Sequence, residues 1–206
     1  KYAPFKNDSF KKDLNILDEL NHANFFSIIN DNELYIVSNG AGPVFVLRDN
    51  IFKRIDNSSL HKNQFGGARF IYNNKIHIYG GYGFWSFKSF ITFFDQNISQ
   101  WDLLYNESEY TPPGRWKPIY NLVNDRLYIL GGRSGPAGSE GQDIGFSDVF
   151  YFDFLSKEFI DLGKVNPEFS PNYSLFSHPK IDDNLIILDN NKSVSYTHLT
   201  LPTTRY

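Results

Sequence analysis

The chain of 206 residues carries 20 Lys and Arg against 23 Asp and Glu, a formal net charge of -3, and is 41% hydrophobic and 17% aromatic. That apolar content suffices for a sizeable core, while the mild acidity and the scatter of the basic residues leave no electrostatic footprint for nucleic acid. There is no cysteine, which excludes disulfides, thiolate metal sites and a cysteine nucleophile, and no apolar run approaches the roughly 18 residues that cross a bilayer as a helix.

Twenty Phe and thirteen Tyr, with frequent Val and Ile, favour strands, because ring and β-branched side chains suit a pleated, half-buried surface. An all-β fold follows. In residues 1–21 the stretch LNILDEL is expected to form the outer strand of a preceding structural unit. From residue 22 the pattern repeats. NDNELYIVSNG (Asn30 to Gly40), YNNKIHIYGGY (Tyr72 to Tyr82), VNDRLYILGGR (Val123 to Arg133) and IDDNLIILDNN (Ile181 to Asn191) each run from a polar turn through a strand into small or turn-forming residues. Leu34, Ile76, Leu127 and Leu185 are equivalent in this alignment. Asn and Asp tolerate positive φ and bond their own backbone, so each turn predicts a β-hairpin. Gly80-Gly81 and Gly131-Gly132 close two of these strands, a sign of unusual φ and of a close backbone neighbour.

A second hairpin follows in each unit. SFITFFDQNISQW sets Phe94 seven residues before Trp101, and SDVFYFDFLSKEF sets Phe152 seven before Phe159. VFVLRDNIF gives the first unit a shorter echo, with Phe45 and Phe52 at the same spacing. Four strands per unit are therefore expected, in units covering approximately 22–58, 62–105, 112–163 and, incompletely, 172–194. Units of that length and content indicate a β-propeller.

These motifs resemble the kelch repeat, whose signature is a hydrophobic strand, a diglycine, a Tyr-like aromatic, six residues and a Trp-like aromatic. Gly80, Gly81, Phe94 and Trp101 match it in one unit; Gly131, Gly132, Phe152 and Phe159 match it in the next. The flanking units depart from it, with Ser38-Asn39 and Asp189-Asn190 in place of the doublet. The resemblance implies blades stacked face to face, about three of them complete with partial ones at the ends, and a fragment of a larger ring. Some galactose-oxidase-like kelch proteins carry a copper centre with a Cys-Tyr crosslink, which a chain without cysteine cannot supply. The last twelve residues, SYTHLTLPTTRY, resemble translated sequencing-adapter sequence; 195–206 are expected to be a non-native tail, the alternative being a genuine strand.

In a propeller the loops carry function and the blades are scaffold. GYGFWSFKS offers Tyr82, Phe84 and Trp85, suited either to recognition or to packing between blades. RSGPAGSEGQDIGFS offers Arg133, Glu140 and Asp143 in a long Gly-rich loop whose spacing fits no phosphate-binding motif. No catalytic constellation, metal site or cofactor site is expected: His22, His61, His77, His178 and His198 are dispersed with no pair at metal-ligand spacing, and the expected role for each is a surface residue or a satisfied strand residue. The expected function is non-enzymatic recognition of a protein or carbohydrate through the loops after the diglycines. The alternatives are a sugar-modifying enzyme like the kelch-fold sialic acid mutarotases, with Arg69, Arg115 and Arg133 as funnel residues, or a sensor domain of a signalling protein. The Asn, Lys, Ile, Phe and Tyr richness suggests an AT-rich, bacterial genome.

Overall fold

The computed structural model describes residues 25–57, 62–135 and 144–165, together with the backbone of three short strands between 180 and 196. The described residues are all strand, turn and loop, without a helix. Among them no helix is long and apolar enough to cross a membrane.

Three four-stranded antiparallel sheets dominate. The first comprises β1 (Phe25–Asn30), β2 (Glu33–Ser38), β3 (Val44–Arg48) and β4 (Ile51–Arg54), in that spatial order. The second comprises β5 (Ala68–Tyr72), β6 (Lys75–Tyr79), β9 (Ile91–Asp95) and β10 (Gln100–Leu104), and between β6 and β9 stands a miniature hairpin of β7 (Tyr82–Gly83) and β8 (Ser86–Phe87). The third comprises β11 (Ile119–Val123), β12 (Arg126–Leu130), β15 (Asp148–Asp153) and β16 (Glu158–Lys164), with β13 (Arg133–Ser134) and β14 (Ile144–Gly145) as its miniature hairpin. A further sheet of β17 (Lys180–Ile181), β18 (Asn184–Leu188) and β19 (Ser193–Tyr196) repeats the order of the first three strands. In it Tyr196 pairs with Leu185, so the first two residues of the adapter-like tail lie in strand backbone.

The local sequence accounts for the turns. Asp31-Asn32, Asp49-Asn50 and Asn73-Asn74 all hold positive φ at both central positions, the tight hairpin geometry whose twist suits flanking strands. Packing then joins the sheets face to face. Tyr35, Val37, Val44 and Val46 of the first sheet form one core with Ile76, Ile78, Phe94 and Trp101 of the second. Ala68, Phe70, Tyr79 and Ile91 form another with Leu127, Ile129, Phe150, Phe152 and Phe159 of the third. Each such buried side chain contributes about 2 kcal/mol of transfer free energy. The middle sheet is covered on both sides. Hence in β6 Ile76 and Ile78 face one neighbour while His77 and Tyr79 face the other, and its last four residues are all buried.

The aromatic pairs sit opposite one another across β9–β10 and β15–β16: Trp101 pairs with Phe94 and Phe152 with Phe159. Both pairs lie in the cores between sheets, and Trp101 Nε1–H donates to the carbonyl of Gly42, in the loop between β2 and β3, at 2.7 Å. The echo in the first unit is different. There the two-residue turn Asp49-Asn50 sets Phe52 opposite Leu47 and Phe45 opposite Arg54. Phe45 and Phe52 therefore share the spacing but not the cross-strand contact, because that hairpin turn is shorter.

Candidate functional site

The segments around the diglycines form one hydrogen-bonded band along the ends of the second and third sheets. Phe65 and Tyr82 exchange backbone hydrogen bonds at 3.0 and 2.8 Å, and Trp116 and Arg133 do the same at 3.0 and 2.9 Å. Between the units, Gly81 N–H donates to the Arg115 carbonyl at 2.7 Å, Arg115 N–H to Lys88 at 3.0 Å, and Lys117 N–H to Gly66 at 2.7 Å. The glycines make this approach possible. Gly80 (φ 70°) would place a Cβ 2.7 Å from the Arg115 carbonyl oxygen, and Gly81 (φ 101°) would drive one into the backbone of Gln64. Gly131 and Gly132 repeat the positive φ at 60° and 92°.

Each β6- or β12-like strand end is sealed by a buried polar side chain sixteen residues before the first glycine: Gln64 before Gly80, Arg115 before Gly131. Gln64 Nε2 donates to the Ile78 and Phe90 carbonyls, and its Oε1 accepts from Thr92 at 2.6 Å. Arg115, wholly buried, holds Asp148 in a bidentate pair at 2.7 and 2.8 Å and donates to Gly131 and Pro113. Its guanidinium also lies against the rings of Phe146 and Phe150. Burial pulls its pKa down, but Asp148 more than reverses that, and the net shift is upward. Arg115 is thus a structural strut between strands, which removes it from the funnel residues. The repeat spacing carried the signal that finds Gln64 and Arg115.

The miniature hairpins project from this band. In β7–β8, Tyr82 pairs with Phe87 and Gly83 with Ser86, and the Tyr82 and Phe87 rings meet at 4.7 Å. A Cβ on Gly83 would meet the Asn63 carbonyl oxygen at 2.7 Å, and one on Gly114 the Phe87 carbonyl carbon at 2.6 Å, so backbone grips the hairpin on both sides. Its two tip residues are Phe84 and Trp85. They are 77% and 62% exposed and hold φ of 46° and 59°. The described hairpin turns elsewhere fill such paired positions with Asn and Asp; here two bulky aromatics occupy them, at a strain of roughly 1 kcal/mol or more each. Packing between sheets does not account for rings that point into solvent.

In the equivalent β13–β14, Arg133 pairs with Gly145 and Ser134 with Ile144. Arg133 is thereby in the band, whereas Glu140 and Asp143 lie outside the described residues. Lys117, at the position equivalent to Gly66, also holds positive φ (48°), and its ammonium sits 4.6 Å over the Trp116 ring. Sequence reasoning passed over it, since only backbone geometry marks it.

His77, the described histidine, occupies a box of Phe70, Tyr72, Phe93 and Phe154 with ring centroids between 5.2 and 6.1 Å, and its Nδ1 lies 2.8 Å from the Lys75 carbonyl. Burial holds its pKa down at about 4. Among the described residues no group of three His, Cys, Asp or Glu side chains could hold a metal ion.

These features define an all-β protein of stacked four-stranded sheets with loop-bearing ends. Its fold is similar to the solved structure of YjhT, a kelch-fold protein, with a TM-score of 0.52 at 17% identity over 70% of this chain. The chain spans about half of that neighbour's length, 52%. No protein-family model matches the chain. No curated protein matches it either.

Proposed function

We propose that this chain is a kelch-type propeller segment that works by non-enzymatic recognition, binding a protein or glycan through the band that carries the two miniature hairpins. The observation behind this reading is the Phe84-Trp85 tip: two aromatics held in a backbone conformation that disfavours them, on a hairpin fixed from both sides, with their rings in solvent. Strain of that kind persists where function maintains it. Rigid aromatics also give large contact area with few rotors to freeze. Tyr82 supports the tip through Phe87, and Arg133 and Lys117 supply cationic neighbours in the same band.

The test compares wild type with the double variant Phe84→Asn, Trp85→Gly on glycan and peptide arrays. Wild-type binding that the variant loses while its melting temperature holds or rises is the expected result. Binding retained by the variant, or a wild type that binds neither array, overturns the reading.

A further inference from the structure

Two arginines of the described residues pack against a neighbouring sheet, Arg115 wholly buried and Arg69 half-buried, and the fold treats them differently. Arg115 is neutralised by the Asp148 carboxylate and by carbonyl acceptors. Arg69, on β5, has no carboxylate within ion-pair distance among the described residues. Its Nη2 donates to the Asn39 side-chain oxygen, a neutral acceptor, and the guanidinium lies 4.4 Å over the Phe26 ring. Its Nε is buried without any hydrogen-bond partner. Tyr120, from the neighbouring third sheet, donates to the Arg69 carbonyl at 2.7 Å and so fixes the backbone there.

A buried cation lacking a counter-charge is costly, and an orphaned guanidinium nitrogen adds to that cost. Arginine's planar fork matches a carboxylate or an oxyanion of phosphate or sulfate with two parallel hydrogen bonds. We infer that Arg69, with Asn39 beside it, is a receptor for one small oxyanion, a carboxylate, phosphate or sulfate group. Arg69 as a residue is half-buried rather than sealed, although its Nε is closed to solvent, so an anion would approach the group from the open side of the residue. The Phe26 ring and the Asn39 oxygen hold the fork in place before the anion arrives, which limits the ordering cost of binding. Burial also lowers the Arg69 pKa, the direction expected of a cation whose partner is missing. This site lies between the first two sheets and does not depend on the Phe84-Trp85 tip.

Thermal unfolding of the wild-type chain in acetate, phosphate and sulfate at matched ionic strength, with Arg69→Met and Arg69→Lys alongside, tests the assignment. The expected result is a saturable rise in wild-type melting temperature, absent in Arg69→Met and weaker in Arg69→Lys; which anion acts at the lowest concentration separates a carboxylate site from a phosphate or sulfate site. Sulfate and phosphate also stabilise proteins by exclusion from their surface, an effect that rises without saturating and is the same in both variants. Should Arg69→Met fail to fold, the wild-type Arg69 Nε–H resonance followed by NMR during the same titrations decides, and it is expected to move with a saturable midpoint. Equal anion responses in wild type and Arg69→Met, or an Nε–H resonance that no anion moves, overturn the inference.

Discussion

Replacing His77 by Leu changes how the protein responds to acid. The imidazole is 4% exposed and boxed by aromatic rings, and burial keeps its folded pKa near 4 against an ordinary value of 6.5. Above pH 6.5 it is neutral in both folded and unfolded chains and contributes no pH dependence. As the pH falls below that value the unfolded chain takes up a proton that the folded chain refuses, so stability declines until the pH reaches the folded pKa. A difference of about 2.5 pH units at about 1.4 kcal/mol each gives a full loss of about 3 kcal/mol, of which about 2.5 kcal/mol is reached by about pH 4.5. For a chain of this size that is a fall of roughly 5–10 °C in melting temperature. Glu33, held at about 2 by Arg48, and Asp95, lowered by Lys75, add their own losses lower in pH. The variant shares them. The difference between wild type and His77→Leu, measured by urea unfolding at about pH 7 and about pH 4.5, therefore isolates the imidazole. The variant is expected to lose about 2.5 kcal/mol less than wild type over that interval. Parallel pH profiles for the two proteins would refute the reasoning, as would a His77 ring whose NMR titration midpoint lies near 6.5.

Further outcomes follow from single contacts. Gly81→Ala, whose Cβ would enter the Gln64 backbone, is expected to cost roughly 3 kcal/mol or more, whereas Gly163→Ala, with open space around a φ of 91°, costs about 1 kcal/mol; denaturant midpoints compare them. Arg115→Met strands the Asp148 carboxylate and is expected to destabilise by about 3 kcal/mol, and near-wild-type unfolding would show that the pair contributes little. Phe84→Asn with Trp85→Gly relieves a strained turn and is expected to raise stability by about 1–2 kcal/mol. A drop in melting temperature would mean that the two rings support the fold.

Four-stranded units were legible in the sequence because their marks are local. An Asn-Asn or Asp-Asn pair sets a tight turn within two residues, a diglycine permits φ values closed to other residues, and seven-residue spacing across a four-residue turn brings Phe94 to Trp101 and Phe152 to Phe159. The same local grammar misleads for Phe45 and Phe52, where a shorter turn alters the register. At the candidate site, the chain order placed Tyr82, Phe84, Trp85 and Arg133 beyond the diglycines, and it left open whether the rings were packing or recognition groups.

Tertiary structure decided what each face meets. His77 alternates with isoleucines like a solvent-facing polar residue, yet sheets cover both sides of β6 and enclose it in aromatic rings. Arg115 and Asp148 are 33 residues apart, and Arg69 and Asn39 are 30 apart. Nothing within a few residues of either arginine tells which will be given a carboxylate. Backbone preference is fixed by a residue and its immediate neighbours, so the sequence determined the hairpins. Burial and charge compensation depend on which sheet is laid against which, so only the assembled fold separated a neutralised strut from an uncompensated cation.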